Sequence, residues 1–189
     1  MILDIKTLAD SLIEEVRNTV KGLKSTPTLT IIMVGNNSAS EVYVRNKIKT
    51  CESVGMNGML LHLPDTITQE ELAKHILDLN RDETVDGILV QSPLPDHINA
   101  QKIFDLIHAE KDVDGFSSTN IARLYSGDET GLVPGTPKGV MKIIQSYFST
   151  KKQCIEKVHT DDSFIGSKIN SDVCTMHCAL CTSNDKNLE

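Results

Sequence analysis

The 189-residue sequence predicts an α/β fold with a mainly parallel sheet flanked by helices. Helix-periodic and strand-like segments alternate along the chain, which is the pattern of parallel strands joined by helical crossovers. Two capping-box signatures open helices shortly after strand-like runs. Gly and Pro punctuate the ends of those runs.

The elements follow in order. Leu8, Leu12, Ile13, Val16, Val20 and Leu23 recur at helical spacing, so residues 5–23 read as an amphipathic helix with Asp4 as a candidate N-cap. Thr28–Val34 is rich in β-branched residues and bounded by Pro27 and Gly35, the signature of a buried strand. Ser38-Ala39-Ser40-Glu41 is a capping box for a helix reaching Val54. Met56–Leu63 reads as a second strand, closed by Pro64-Asp65. Thr68-Gln69-Glu70-Glu71 opens a helix to Asn80, and Gly87–Gln91 is a third strand stopped by Ser92-Pro93-Leu94-Pro95. Residues 99–108 look helical. Thr136 before Pro137 places an N-cap ahead of a last helix to Tyr147.

Composition excludes several classes of protein. No apolar run approaches the roughly 20 residues that span a bilayer. The start, Met1-Ile2-Leu3-Asp4, lacks a basic region followed by a long apolar one, so no secretion signal is expected. Nineteen Lys and Arg against 26 Asp and Glu give a net charge of −7, which argues against nucleic-acid binding. The expected compartment is the cytosol. All six prolines precede residue 150, whereas four of the five cysteines follow it, marking a seam in the chain.

Ligands of parallel sheets bind beyond the carboxyl ends of the strands. Here those ends are Gly35-Asn36-Asn37-Ser38, Leu63-Pro64-Asp65 and Gln91-Ser92-Pro93. Tyr43 and Lys47 lie four apart on the helix after the first strand, hence on one face. A phenol beside an amine can stack on a flat ligand while the amine moves protons; the same pair also suits an ordinary half-exposed helix face. Gln91 can hold a lysine or ligand in register without adding charge, or simply cap a turn. Asp112 and Asp114, either side of Val113 and before Gly115, can fix an amino-bearing ring or build a tight Asx turn.

In combination these segments are far more specific. Val34–Ser40 followed by Tyr43-Val44-Arg45-Asn46-Lys47 resembles the first signature of the bifunctional methylenetetrahydrofolate dehydrogenase/methenyltetrahydrofolate cyclohydrolase family. Asp86–Pro95, Lys111–Phe116 and Pro134–Gly139 resemble the second, third and fourth, in the same order. The resemblance covers residues 1–148 and implies the family's catalytic domain, leaving 149–189 as an atypical cysteine-bearing tail. It implies that Tyr43 stacks on folate, Lys47 handles protons in the cyclohydrolase step, Gln91 hydrogen-bonds Lys47, and Asp114 holds the pterin. The implied chemistry belongs to one-carbon metabolism and purine biosynthesis. 5,10-Methylenetetrahydrofolate is oxidised with NADP to the methenyl form, which is then hydrolysed to 10-formyltetrahydrofolate. A homodimer is common in the family.

Ser92 and Gly135 depart from the family pattern, which usually has Leu and Cys there. No G-x-G-x-x-G-like turn is present, nor the family's late Pro-Gly-Gly segment. The expectation is therefore no complete Rossmann domain, no identifiable cofactor site and an impaired dehydrogenase step. Cys174, Cys178 and Cys181 have the spacing of the radical-SAM motif, with His177 as a possible zinc ligand. Only eight residues follow Cys181, too few for a radical-SAM barrel, so the expectation is a disordered tail without metal. A Tyr-x-x-x-Lys reading as a short-chain dehydrogenase fails for want of the Gly-rich turn and catalytic serine. The remaining rival is a non-catalytic folate-binding or partner-binding fragment.

Overall fold

The computed structural model describes residues 5–160. Its elements are α1 (Ile5–Lys21), β1 (Thr28–Val34), α2 (Ser38–Ser53), β2 (Asn57–Leu63), α3 (Gln69–Arg81), β3 (Gly87–Val90), α4 (Ala100–Phe104), α5 (Ser118–Ser126) and α6 (Gly135–Thr160). The chain divides into two compact units, Met1–Ser146 and Tyr147–Glu189, and all three strands belong to the first.

Among the described residues the sheet has three strands in the order β2-β1-β3, all parallel. β1 is central, with Thr28 opposite Asn57 on one side and Leu29 opposite Gly87 on the other. Successive side chains of a strand point to opposite faces, so β1 feeds two cores. Ile32 and Val34 join Ile88 and Val90 of β3 beneath Leu72 and Ile76 of α3 and Ile103 of α4. Ile31 and Met33 join Leu89 and the α2 residue Val44 on the other face. Burial of β1 and β3 on both faces is why they read as continuous apolar runs. The α/β class with a parallel sheet flanked by helices is as the sequence predicts.

Several boundaries differ, each for a local reason. Asp4 lies outside the described residues, and α1 ends at Lys21, where Gly22 and Leu23 turn back to the Thr19 and Val20 carbonyls. The cap of α2 is Asn37 rather than Ser38: its side chain accepts from Ser40 N at 3.0 Å. Thr68 and Glu71 do form the reciprocal capping box of α3. The helix expected over 99–108 stops at Phe104, because the buried Asn80 amide captures the groups that would prolong it. Asn80 Nδ2 donates to Leu106 O at 2.7 Å, and its Oδ1 accepts from His108 N at 3.0 Å. α5 was not expected, although Ser117 caps its start and Gly127, in the left-handed region at φ 74°, ends it. α6 begins before Thr136, since Lys138 N already donates to Pro134 O at 3.1 Å, and it runs on past Tyr147 to Thr160. Among the described residues no helix is long and apolar enough to cross a membrane.

Beyond β3 a short segment extends the sheet without being a strand. Ile88 N donates to Lys111 O at 2.7 Å, and Ile88 pairs with Asp112 in a parallel bridge. Gly87 permits this approach: a Cβ there would stand 2.6 Å from the Val113 side chain. The turn carrying Asp112 and Asp114 is thus docked beside β3.

Candidate active site

In the order β2-β1-β3 the chain leaves β1 in one direction and returns on its other side, so a crevice opens at the carboxyl ends of β1 and β3. α2 starts at that edge, with Val44 buried on the sheet and Tyr43 and Lys47 one helical turn apart. Gln91 follows β3 directly, its N–H donating to Ile32 O at 2.8 Å. Lys47 Nζ donates to Gln91 Oε1 at 3.0 Å. Gln91 Nε2 donates to Ser92 O at 2.7 Å, so both ends of the amide have fitting partners and its oxygen is turned to the lysine. The Ser92–Pro93 peptide is cis.

Asp114 is the third member of this group. Burial pushes its carboxyl above the ordinary value, the Lys47 charge pulls it back, and the Asp112 charge pushes it up further. Its neighbour in the motif has a different part. Asp112 is 1% exposed and accepts from Gly115 N at 3.0 Å, Ser117 N at 2.9 Å and Asn120 Nδ2 at 3.0 Å. Of the two readings of the Asp-Val-Asp segment, the turn falls to Asp112, while Asp114 lies within electrostatic reach of Lys47. Tyr43 is 63% exposed on the same helix, and Val113, Phe116 and Leu132 are partly open apolar surface on the motif segments.

This arrangement offers an amine held by a neutral amide, a carboxylate in electrostatic reach and an aromatic ring on the neighbouring turn. It can bind a flat heterocycle bearing amino groups and move one proton beside it. Sequence reasoning missed Asn120, which no motif spacing marks and which the fold buries completely.

A nucleotide phosphate would be sought at the turn between β1 and α2. That turn's single glycine, Gly35, has its N–H engaged with Leu63 O at 2.9 Å, and a Cβ there would lie 3.2 Å from Asp65 Cβ. That glycine therefore offers a phosphate no free N–H. No group of three potential metal ligands occurs among the described residues. Cys174, His177, Cys178 and Cys181 lie outside them.

Known proteins share the sequence and the fold of this chain. The family described as tetrahydrofolate dehydrogenase/cyclohydrolase, catalytic domain, matches residues 3–114. The bifunctional protein FolD of Sulfurihydrogenibium sp. (strain YO3AOP1) is 45% identical over 152 residues, covering 78% of this chain and 53% of the relative. The crystal structure of the bifunctional enzyme FolD, methylenetetrahydrofolate dehydrogenase/cyclohydrolase, from Campylobacter jejuni superposes with a TM-score of 0.76 at 45% identity. It covers 78% of this chain and 53% of its own. The Trypanosoma brucei methylenetetrahydrofolate dehydrogenase-cyclohydrolase, solved with NADP cofactor and inhibitor, gives 0.72 at 29% identity, with 78% and 52% covered. The chain spans about half the length of the curated relatives it matches. By sequence match and by fold, it belongs to the tetrahydrofolate dehydrogenase/cyclohydrolase family.

Proposed function

We propose that this chain acts in one-carbon folate metabolism, binding a reduced folate at the carboxyl edge of its sheet and hydrolysing 5,10-methenyltetrahydrofolate to 10-formyltetrahydrofolate. The observation that carries this reading is the 3.0 Å bond from Lys47 Nζ to Gln91 Oε1, with Asp114 in reach of the same amine. The methenyl bridge is a cationic amidinium, so no nucleophilic side chain is required; water adds to the bridge carbon. That water must lose a proton, and Lys47 in its neutral form accepts it while Gln91 fixes the amine's place. The bond from the bridge carbon to N5 then breaks as the new hydroxyl gives up its proton and N5 takes one, leaving the formyl group on N10 and one net proton released. Asp114 holds the pterin by accepting from its amino group, and Tyr43 stacks on the ring system.

The oxidation that precedes this step transfers a hydride to NADP in the family reading. With the Gly35 N–H already engaged and no G-x-G-x-x-G-like turn in the sequence, dehydrogenation by the 189-residue chain alone is proposed to be impaired. The purified chain should bind folate and hydrolyse the methenyl compound above the buffer rate. Lys47→Met, which keeps the stem and removes the amine, should lower hydrolysis by about 10²–10⁴-fold and leave affinity within about threefold. Hydrolysis as fast in Lys47→Met as in the parent would exclude the lysine's role. Folate binding without hydrolysis in the parent would favour a non-catalytic folate-binding role.

A further inference from the structure

Asn120 is wholly buried and every polar group of its side chain is engaged. Nδ2 donates to Ala109 O at 2.9 Å and to Asp112 Oδ2 at 3.0 Å, while Oδ1 accepts from Leu132 N at 3.2 Å. The first two partners belong to the turn that carries Asp114. The third belongs to the segment leading into α6, which holds the fourth sequence motif. The same two segments meet a second time at Gly115, where φ is 67° and a Cβ would stand 2.6 Å from Leu132 O and 3.1 Å from Pro134 N. Backbone therefore lies on backbone at Gly115, and one side-chain amide ties the segments together beside it.

We infer that Asn120 is a positioning residue for the folate site: it clamps the Asp114 turn to the Leu132–Pro134 segment and so fixes where the Asp114 carboxyl stands relative to Lys47. This role rests on the folate reading above. Only an amide serves here, because the position must donate twice, to a carbonyl and to a carboxylate, and accept once. Without it, buried Asp112 Oδ2 and the partly buried Ala109 O and Leu132 N would each lose a partner, and the turn would loosen toward water. Asp114 would then lose its burial and its close approach to Asp112, as well as its fixed relation to Lys47.

The test uses the full chain and two readouts, the carboxyl titration of Asp114 by carbon NMR and affinity for 5,10-methenyltetrahydrofolate. The titration is followed in the parent and Asn120→Ser, and affinity in the parent, Asn120→Ser, Asp114→Asn and the double variant. In folded Asn120→Ser the Asp114 titration should move down toward 3.8, the value of an unperturbed aspartate. Affinity should fall about tenfold in the parent background and less than about twofold in the Asp114→Asn background, since coupled positions are not additive. An unmoved titration, or equal losses in both backgrounds, would make Asn120 merely structural and overturn the inference. If Asn120→Ser fails to fold, Gly115→Ala loosens the same clamp from the backbone side. The same shift is expected there, and an unchanged titration would equally overturn the role. A parent that binds no folate would sink the folate reading, while the titration still decides the clamp.

Discussion

At the scale of single residues, two carboxylates two positions apart do opposite work. Asp112 is enclosed by backbone and amide donors, whereas Asp114 stands half-buried within electrostatic reach of Lys47. Burial is the largest influence on Asp114, and the outcome is a folded-state value above the ordinary 3.8. A folded chain that holds this proton more tightly than the unfolded one loses stability as pH rises from 3.8 through the raised value. Asp114→Asn should therefore melt higher than the parent at pH 7. The gain should shrink as the pH is lowered and vanish below about 3.8. The same substitution should weaken folate affinity, so stability and binding move in opposite directions. A lower melting temperature for Asp114→Asn at pH 7 would show that attraction to Lys47 outweighs burial.

At the scale of elements, α2 matters most because it carries both Tyr43 and Lys47. Its first turn is fixed by the Asn37 side chain on Ser40 N, at 3.0 Å. Asn37→Ala should cost about 1 kcal/mol, read as a lower urea midpoint with an unchanged slope. Weaker folate affinity should accompany it if the frayed turn also displaces the helix. Helix starts were largely legible, since caps are local chemistry: Thr68 and Glu71 announced α3 in the sequence and close its capping box in the fold. Helix ends were not. What stops α4 at Phe104 is Asn80, distant in sequence and brought alongside by the packing of α3 on α4. α5 hid because it is short: nine residues give a helical period too few repeats to stand out.

At the scale of the whole molecule, the family's two reactions make different demands. In the proposed reading, hydrolysis of the methenyl cation needs only the edge of one sheet, where Lys47 and Gln91 are joined and Asp114 is within electrostatic reach. Hydride transfer also needs a dinucleotide held beside the folate. At the turn after β1 the single glycine lies beside Asp65, and its N–H is engaged with Leu63 O. Calorimetry on the 189-residue chain should find no saturable NADP binding at micromolar concentrations; a well-defined isotherm there would refute the expected impairment.

The parallel class, most helix starts and the motif residues were readable from the chain, because each depends on local signals: β-branched runs, caps, turn residues and four-residue helical spacing. The tertiary structure alone decided which carboxylate of Asp-Val-Asp builds the turn and which lies within electrostatic reach of the amine. Burial depends on what the chain brings alongside from elsewhere, and two aspartates two residues apart look alike until one is enclosed. The same holds for Asn120. A polar residue within a short amphipathic segment carries no signal of its own, and its partners at Ala109, Asp112 and Leu132 meet only once the two motif segments lie together.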